Sequence, residues 1–304
     1  MLNKLLKYPK KMKNYIIVTG GSGFIGTNLI KELISKTNFK IISIDDYSSG
    51  SKKNHINNHR ISYVRGHTKN ISIILKKYHK KIHLFFHFGE FSRIVKSFEY
   101  RKKIINSNLV GSANVIEFCL TNKIELIYSC TSAGFGNNFE DQNLSPYSYL
   151  KSVNLNLIIN YATWFGLKYK VLYFYNVYGG NETIKKEMKA VIGIFEDCKK
   201  KNLSLPIVRP GTQNRIFTDI KDVIKACLKA VKTSNHSHFI IRAKKSYKII
   251  EIAKLFQHKY HYIPSRTGER FTSSFVKKIR GNNIKEIICK NDIKNYLKNK
   301  YFLK

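Results

Sequence analysis

The sequence predicts an α/β protein: a doubly wound parallel sheet covered by helices on both faces, with a smaller C-terminal α/β unit. Three observations lead there. Short apolar runs alternate with longer helical patterns from residue 15 to about residue 177. A glycine-rich turn lies directly between the first run and the first helical pattern. Beyond residue 177 the rhythm shifts to helical patterns separated by brief strand-like pieces. Strands alternating with helices make right-handed crossovers and a parallel sheet, whose ligand site lies outside the carboxyl ends of the strands.

Taken in order, the buried-strand candidates are Tyr15–Thr19, Lys40–Asp45, Ile61–Val64, Leu84–His87, Glu125–Ser129 and Lys170–Tyr175. Each is a short run rich in Ile, Val, Leu, Phe and Tyr, as a strand buried on both faces requires. Helical spacing appears near 26–36, 103–122 and 148–165, then near 184–201, 219–233 and 246–258. His238–Arg242 is a strand-like piece among the later helices. The stretch 281–304 is Lys/Asn-rich and weakly patterned, and supports no assignment. No repeat and no Pro/Ser/Gly linker separates the halves.

Composition bounds the rest. With 304 residues, 43% hydrophobic and 24% charged, the chain is globular and needs no disulfide or metal to hold its core. The five cysteines form no CxxC pair and no cluster with histidine, so reduced thiols in a cytoplasmic protein are expected, without a metal site. No apolar run approaches the length of a membrane span. Residues 1–14 are basic without an apolar stretch and read as a loose tail, not a secretory signal. The net charge of +36 suggests a polyanionic partner. Yet only 10 of the 55 basic residues are arginine, the usual reader of phosphate and guanine. Lysine travels here with Ile, Asn, Tyr and Phe, all with A/T-rich codons, so base composition offers a non-functional cause of the charge beside a binding footprint, and nucleic acid is not the expected partner.

The first strand runs into Thr19-Gly-Gly-Ser-Gly-Phe-Ile-Gly26, with glycines at 20, 23 and 26. The first permits a tight turn, the second lets backbone approach a pyrophosphate, and the third lets helix pack close to strand. The helix N-terminus adds free N–H groups and the positive end of its dipole. An acid, Asp45, ends the next strand 19 residues after Gly26. That order marks a dinucleotide site of Rossmann type, with Asp45 on the adenosine ribose and NAD preferred over NADP, whose 2′-phosphate a carboxylate repels. The expected division is a tail over 1–14, an NAD-binding unit over 15–176 and an interleaved substrate unit over 177–304.

Ser145-Pro-Tyr147-Ser-Tyr-Leu-Lys151 places Tyr147 and Lys151 on one face at the start of a helix. A phenol with a pKa of about 10 is a poor base at neutral pH. A neighbouring ammonium, with a cationic nicotinamide, favours the phenolate. Thr131, at the end of the preceding strand, offers a hydroxyl beside that pair. Alone, a YxxxK spacing is more often two residues of an amphipathic helix. His67, His83 and His87 offer no convergent metal set and read as structural.

With these residues in view, the chain resembles the extended short-chain dehydrogenase/reductase family, in its NAD-dependent epimerase/dehydratase branch that acts on nucleotide sugars. The resemblance spans about residues 14–270. It rests on TGGSGFIG at 19–26, IDDYSSG at 44–50, HFGEFSRI at 87–94, NLVGSANVIEFC at 108–119, YSCTSAGFG at 128–136, SPYSYLK at 145–151, FYNVYG at 174–179, RPGTQNRIFTDIKDV at 209–223 and PSRTGER at 264–270. The IDDYSSG and FYNVYG segments are most similar to UDP-glucose 4-epimerase and its relatives.

The resemblance implies roles residue by residue. Gly20, Gly23, Phe24, Ile25 and Gly26 match the pyrophosphate loop, and Asp45 and Asp46 the ribose-binding pair. His67, Thr68, Phe88, Gly89, Asn108 and Tyr175 fall at positions near the cofactor. Thr131, Tyr147 and Lys151 match the catalytic trio. Asn176, Arg215 and Arg266 match contacts to the nucleotide-sugar diphosphate and ribose, with Thr131 also toward the sugar. The resemblance further implies a homodimer through the helices near 103–122 and 148–165.

Chemistry within the branch divides on the two residues after the Thr. Dehydratases and decarboxylases carry carboxylates there, whereas this chain has Ser132 and Ala133. A 4-epimerase needs no such acid, since hydride leaves C4 and returns to the other face of a 4-keto sugar. NAD-dependent 4-epimerisation of a UDP-hexose is therefore the expectation. Other nucleotide-sugar reductases or dehydratases stand second, and a non-catalytic nucleotide- or nucleic-acid-binding scaffold third. The chain departs from the pattern at His67, where an acid usually meets adenine, at Tyr173, at Phe135, and at Glu90, a carboxylate where the branch usually has Ala or Gly.

Overall fold

In the computed structural model, residues 13–132, 142–182, 185–271, 278–279 and 282–302 are described. Residues 1–12 of the expected tail, together with Ala133 and Phe135, lie outside them.

Eight parallel strands form the central sheet: β1 (Tyr15–Thr19), β2 (Lys40–Asp45), β3 (Ile61–Arg65), β4 (Ile82–His87), β5 (Glu125–Thr131), β6 (Tyr169–Phe174), β7 (Ser237–Ala243) and β8 (Asn282–Cys289). Their spatial order is β8-β7-β6-β5-β4-β1-β2-β3, and Lys278–Ile279 adds a short antiparallel partner to β8. The order reverses between β1 and β4, and a crevice opens at such a switch point beyond the strand ends.

Alternation along each strand explains the two covered faces. Ile17, Phe85, Leu126, Tyr128 and Val171 pack into one apolar layer with Val115 and Ile158. Their chain neighbours Ile16, Val18, Leu84, Phe86, Ile127 and Leu172 pack into the opposite layer with Leu29, Leu33, Val223 and Ile224. Helices α1 (Phe24–Lys36) and α5 (Ile220–Val231) thus cover one face. Helices α2 (Ser112–Thr121) and α3 (Pro146–Phe165) cover the other.

A third cluster, separate from both, joins α4 (Val191–Lys200), α6 (Ile249–Leu255) and α7 (Ile293–Tyr301) through Ile192, Phe195, Ile252, Phe256, Ile293 and Leu297. Three two-stranded pieces frame this smaller unit: 177–178 with 218–219, 214–216 with 246–248, and 205–208 with 260–263. The chain returns to the large sheet twice after residue 176, through β7 and β8.

Three sequence expectations are refined. The helix near 103–122 is three consecutive segments: Arg101–Ile104, a wider π-helical turn over Ile105–Gly111, and α2. The pattern near 246–258 begins as strand, because Ser246–Lys248 pair antiparallel with Asn214–Ile216, and α6 starts only at Ile249. The unassigned stretch 281–304 holds β8 and α7. Among the described residues, no helix is long and apolar enough to cross a membrane.

Candidate active site

A cavity of about 740 Å³ runs along the carboxyl ends of β1, β2, β4, β5 and β6 and continues toward the smaller unit. At one end, β1 turns through Gly20 into α1. Gly20 has φ +68°, and a side chain there would meet the Phe88 carbonyl at 2.8 Å, so only glycine admits both the turn and the close passage of the loop after β4. Gly23 caps α1 without any side-chain hydrogen bond, leaving the first-turn N–H groups directed at the cavity. Phe24, Ile25 and Gly26 line the same wall.

Asp45 closes β2 nearly buried, at 7% exposure. Its Oδ2 accepts from the Ser22 N–H at 3.0 Å and its Oδ1 from the Tyr47 N–H at 2.8 Å. Burial pushes the Asp45 carboxyl up from its ordinary value, and those two N–H donors pull against it. Asp46, His67 and Thr68 also line this end, and the Asp46 carboxylate accepts from the Ser48 N–H at 2.8 Å. Uncapped N–H groups, a glycine cradle and a carboxylate at the end of the next strand are the donor and acceptor set a dinucleotide needs, so these residues fit NAD.

At the centre stands α3. Ser145 caps it by accepting from the Ser148 N–H at 3.1 Å, with Pro146 in the first turn, an arrangement contributing about 1 kcal/mol. The cap fixes Tyr147 in the first turn and Lys151 one turn on, both buried and both facing the cavity. The Thr131 side chain, from the end of β5, hydrogen-bonds the Tyr147 phenol. Burial raises the Tyr147 pKa; Lys151 and the Thr131 hydrogen bond lower it, and Glu90 raises it. The ammonium of Lys151 donates to the Ser129 carbonyl at 2.5 Å and to the Glu90 carboxylate.

Glu90 is therefore not solvent-facing. Its side chain is 2% exposed and its carboxylate also accepts from Ser112 at 2.5 Å, Tyr128 at 3.0 Å and Asn154 at 2.9 Å. Burial opposes its charge, yet Lys151 beside it holds the carboxyl below its ordinary value. Burial likewise opposes the Lys151 charge, and Glu90 more than restores it. Behind them lies His87, fully buried, with Nδ1 2.8 Å from Thr19 Oγ1 and Nε2 3.0 Å from Ser112 Oγ. Because Ser112 donates to a carboxylate, its oxygen is left to accept from Nε2–H, and burial, which lowers the His87 pKa to about 4, keeps the ring neutral. His83 instead stacks on Phe39.

At the far end, Asn176 follows β6 with φ +27° and its amide donates to the Ile216 carbonyl at 3.0 Å, tying the large sheet to the strand that carries Arg215. Arg215 donates to the Arg270 carbonyl at 2.5 Å and stands 3.8 Å from Glu269. Arg266 lies exposed on the rim.

Of the residues given cofactor, catalytic or substrate roles from the sequence, all line this cavity except two. Asn108 is fully buried in the π-helical turn: its Oδ1 accepts from the Phe91 N–H at 2.7 Å and its Nδ2 donates to the Phe91 carbonyl at 2.8 Å. It pins the loop after β4. Tyr175 is fully buried in the apolar layer under α3. Charged lining residues that were not singled out include three more. Arg93 donates from Nε to the Met188 carbonyl at 2.6 Å, Glu182 accepts from the Ala190 N–H at 2.6 Å, and Glu269 keeps one buried oxygen without a partner among the described residues. All three line the cavity. Glu269 stands three residues after Arg266 in the quoted PSRTGER, so its charge was visible although its direction was not.

The model of the NAD dependent epimerase/dehydratase family matches residues 16–241. A putative UDP-glucose 4-epimerase of Methanocaldococcus jannaschii is 32% identical over 230 residues, covering 72% of this chain and 74% of that protein. A UDP-N-acetyl-alpha-D-glucosaminuronate decarboxylase of Bacillus cytotoxicus is 25% identical over 236 residues, 72% of each chain. Among solved structures, UDP-glucose 4-epimerase of Thermotoga maritima with UDP-glucose superposes with a TM-score of 0.77 at 23% identity, covering 85% of this chain and 88% of that one. With most of its length matched by the family model, a relative above 30% identity and a cavity suited to the dinucleotide, the chain belongs to the NAD-dependent epimerase/dehydratase family.

Proposed function

We propose that the protein is an NAD-dependent nucleotide-sugar 4-epimerase acting on a UDP-hexose. The carrying observation is the buried Tyr147 phenol, hydrogen-bonded to Thr131 and set one helical turn from Lys151, where the dinucleotide end of the cavity meets the end lined by Arg215, Arg266 and Asn176. NAD, when bound, supplies a reversible acceptor for the C4 hydride. Tyr147 takes the C4 hydroxyl proton as hydride leaves and gives it back on return, and Thr131 holds the sugar oxygen and the phenol in line. Lys151, paired with Glu90, sets its ammonium beside the phenol and offers a donor for the nicotinamide ribose. At the nucleotide end, two guanidiniums and an amide suit diphosphate oxygens, and the Glu269 carboxylate suits ribose hydroxyls.

Epimerisation is favoured over elimination or decarboxylation because the carboxylate nearest the trio, Glu90, has its acceptor capacity taken up by four donors. It has no free proton-transfer role. A homodimer through the faces of α2 and α3 belongs to this reading, as does a rate advantage from the +36 charge in drawing in an anionic sugar nucleotide.

The test is a coupled assay of the NAD-loaded protein with UDP-glucose, UDP-galactose and their N-acetyl forms, beside Tyr147→Phe. Interconversion at C4 that Tyr147→Phe abolishes supports the reading. Turnover of none of these sugars, with Tyr147→Phe indistinguishable from the parent, overturns it.

A further inference from the structure

Glu90 stands on the loop just after β4, lines the cavity and reaches Lys151. A buried carboxylate is costly unless paired, and here four donors converge on it from three other elements: Ser112 from α2, Tyr128 from β5, and Lys151 and Asn154 from α3. One consequence concerns the charge that Tyr147 meets. In the cofactor-free protein the Lys151 ammonium is matched by the Glu90 carboxylate, so the pair carries no net charge and Glu90 offsets part of the lowering that Lys151 exerts on the phenol. A lysine alone would leave one positive charge there at all times.

We infer that Glu90 is a positioning residue that neutralises Lys151, so that Tyr147 ionises only when a cationic nicotinamide ring supplies the missing positive charge. Proton acceptance is thereby tied to the oxidised cofactor. This rests on Tyr147 being the proton-transfer residue of the proposed reaction. The titratable groups facing Glu90 and Lys151 among the described residues are few: His87 at the end of β4, Tyr128 and Cys130 on β5, and Tyr147 on α3. His87 is held neutral by burial, its pKa lowered to about 4, and burial pushes the Cys130 thiol up to about 12. Burial also drives Tyr128 well above its ordinary value. None of these changes charge near neutral pH, which leaves Tyr147 as the group that responds. The loop position of Glu90 is itself fixed: Asn108 clamps Phe91, and Thr19 accepts from the Phe88 and Gly89 N–H groups at 3.2 and 3.1 Å.

The experiment needs no sugar. Calorimetric binding of NAD+ to the cofactor-free protein, in buffers of different ionisation enthalpy across pH 6 to 10, reads proton release on binding. The parent protein is expected to release a substantial fraction of one proton, and Tyr147→Phe to release none. In Glu90→Gln the phenol titration, followed as tyrosinate absorbance by difference from the Glu90→Gln/Tyr147→Phe double variant, moves down by roughly one to three pH units without cofactor. Proton release near neutral pH then falls, and Glu90→Asp restores it. If the parent releases no proton that depends on Tyr147, the inference is overturned. An unchanged Tyr147 titration in Glu90→Gln overturns it equally. Should Glu90→Gln not fold, Glu90→Ala is read by the same tyrosinate titration, and an unmoved phenol there overturns the inference. Coupled proton release without turnover of any UDP-hexose would sink the epimerase reading and leave this one standing.

Discussion

Lys151 and Glu90 form an ion pair in the cavity wall, with side chains only 4% and 2% exposed. Removing one partner strands the other in a low-dielectric interior. Lys151→Met is therefore expected to abolish turnover and also to lower stability by about 3–5 kcal/mol. Lys151→Met/Glu90→Gln should recover much of that stability and none of the turnover. Urea unfolding of the parent, the single and the double variant checks the pattern; additive losses would contradict the pairing.

Asp45 holds its carboxylate toward the cavity by two backbone N–H groups. Asp45→Ala should weaken NAD binding about tenfold, roughly one charged hydrogen bond, and narrow the preference over NADP. Fluorescence titration with both dinucleotides measures it. An unchanged NAD:NADP ratio would remove Asp45 from the discrimination.

His87 and His238 are fully buried, and burial lowers each pKa to about 4. Both rings are neutral when folded, whereas an unfolded histidine charges near pH 6.5. Their contribution is thus complete above about pH 6.5 and is lost as pH falls toward about 4, amounting to roughly 3 kcal/mol for each ring. Unfolding free energies at pH 7 and pH 4.5 should differ accordingly, and His238→Phe should flatten part of the slope. A slope the same in parent and variant would exclude His238 from it.

Helix α3 leaves Tyr149, Trp164 and Phe165 between 52% and 61% exposed. Large aromatics on one exposed helix suit an interface with a second copy. Sedimentation should show a dimer that Trp164→Lys weakens at least tenfold with little change in monomer stability. A monomeric parent at micromolar concentration would end that reading.

The sheet was legible because its strands are short, continuous apolar runs, and every one of the six named from sequence lies within a residue or two of its observed bounds. β8 was not, because Asn-Asn-Ile-Lys-Glu-Ile-Ile-Cys mixes polar and apolar residues on a strand whose Ile288 stays 44% exposed. α7 buries only Ile293 and Leu297 of its nine residues, too thin a stripe to rise above its lysines. The glycine turn, Asp45, Tyr147 and Lys151 were legible because spacing alone brings them to one edge of the sheet. The fate of Glu90 was not. Its partners Ser112, Tyr128 and Asn154 lie 22, 38 and 64 residues away and converge only when three elements pack. Asn108 is matched to a position near the cofactor, and its bonds to the Phe91 backbone, 17 residues away in the chain, appear only once the π-helical turn packs on the loop after β4.

The last stretch of the chain also determines how the molecule can move. β8 is hydrogen-bonded into the large sheet, the residues after it donate to Asp222 on α5 at 3.0 and 2.8 Å, and α7 then seals the core of the smaller unit. A single clasp of some twenty residues thus rivets the two halves together. Opening the two halves around a ligand would therefore have to break either the β7–β8 pairing or the packing of α7. Discrimination between sugars then falls to the side chains lining a fixed cleft, so a change of substrate would be sought in single residues such as Arg93 and Glu182.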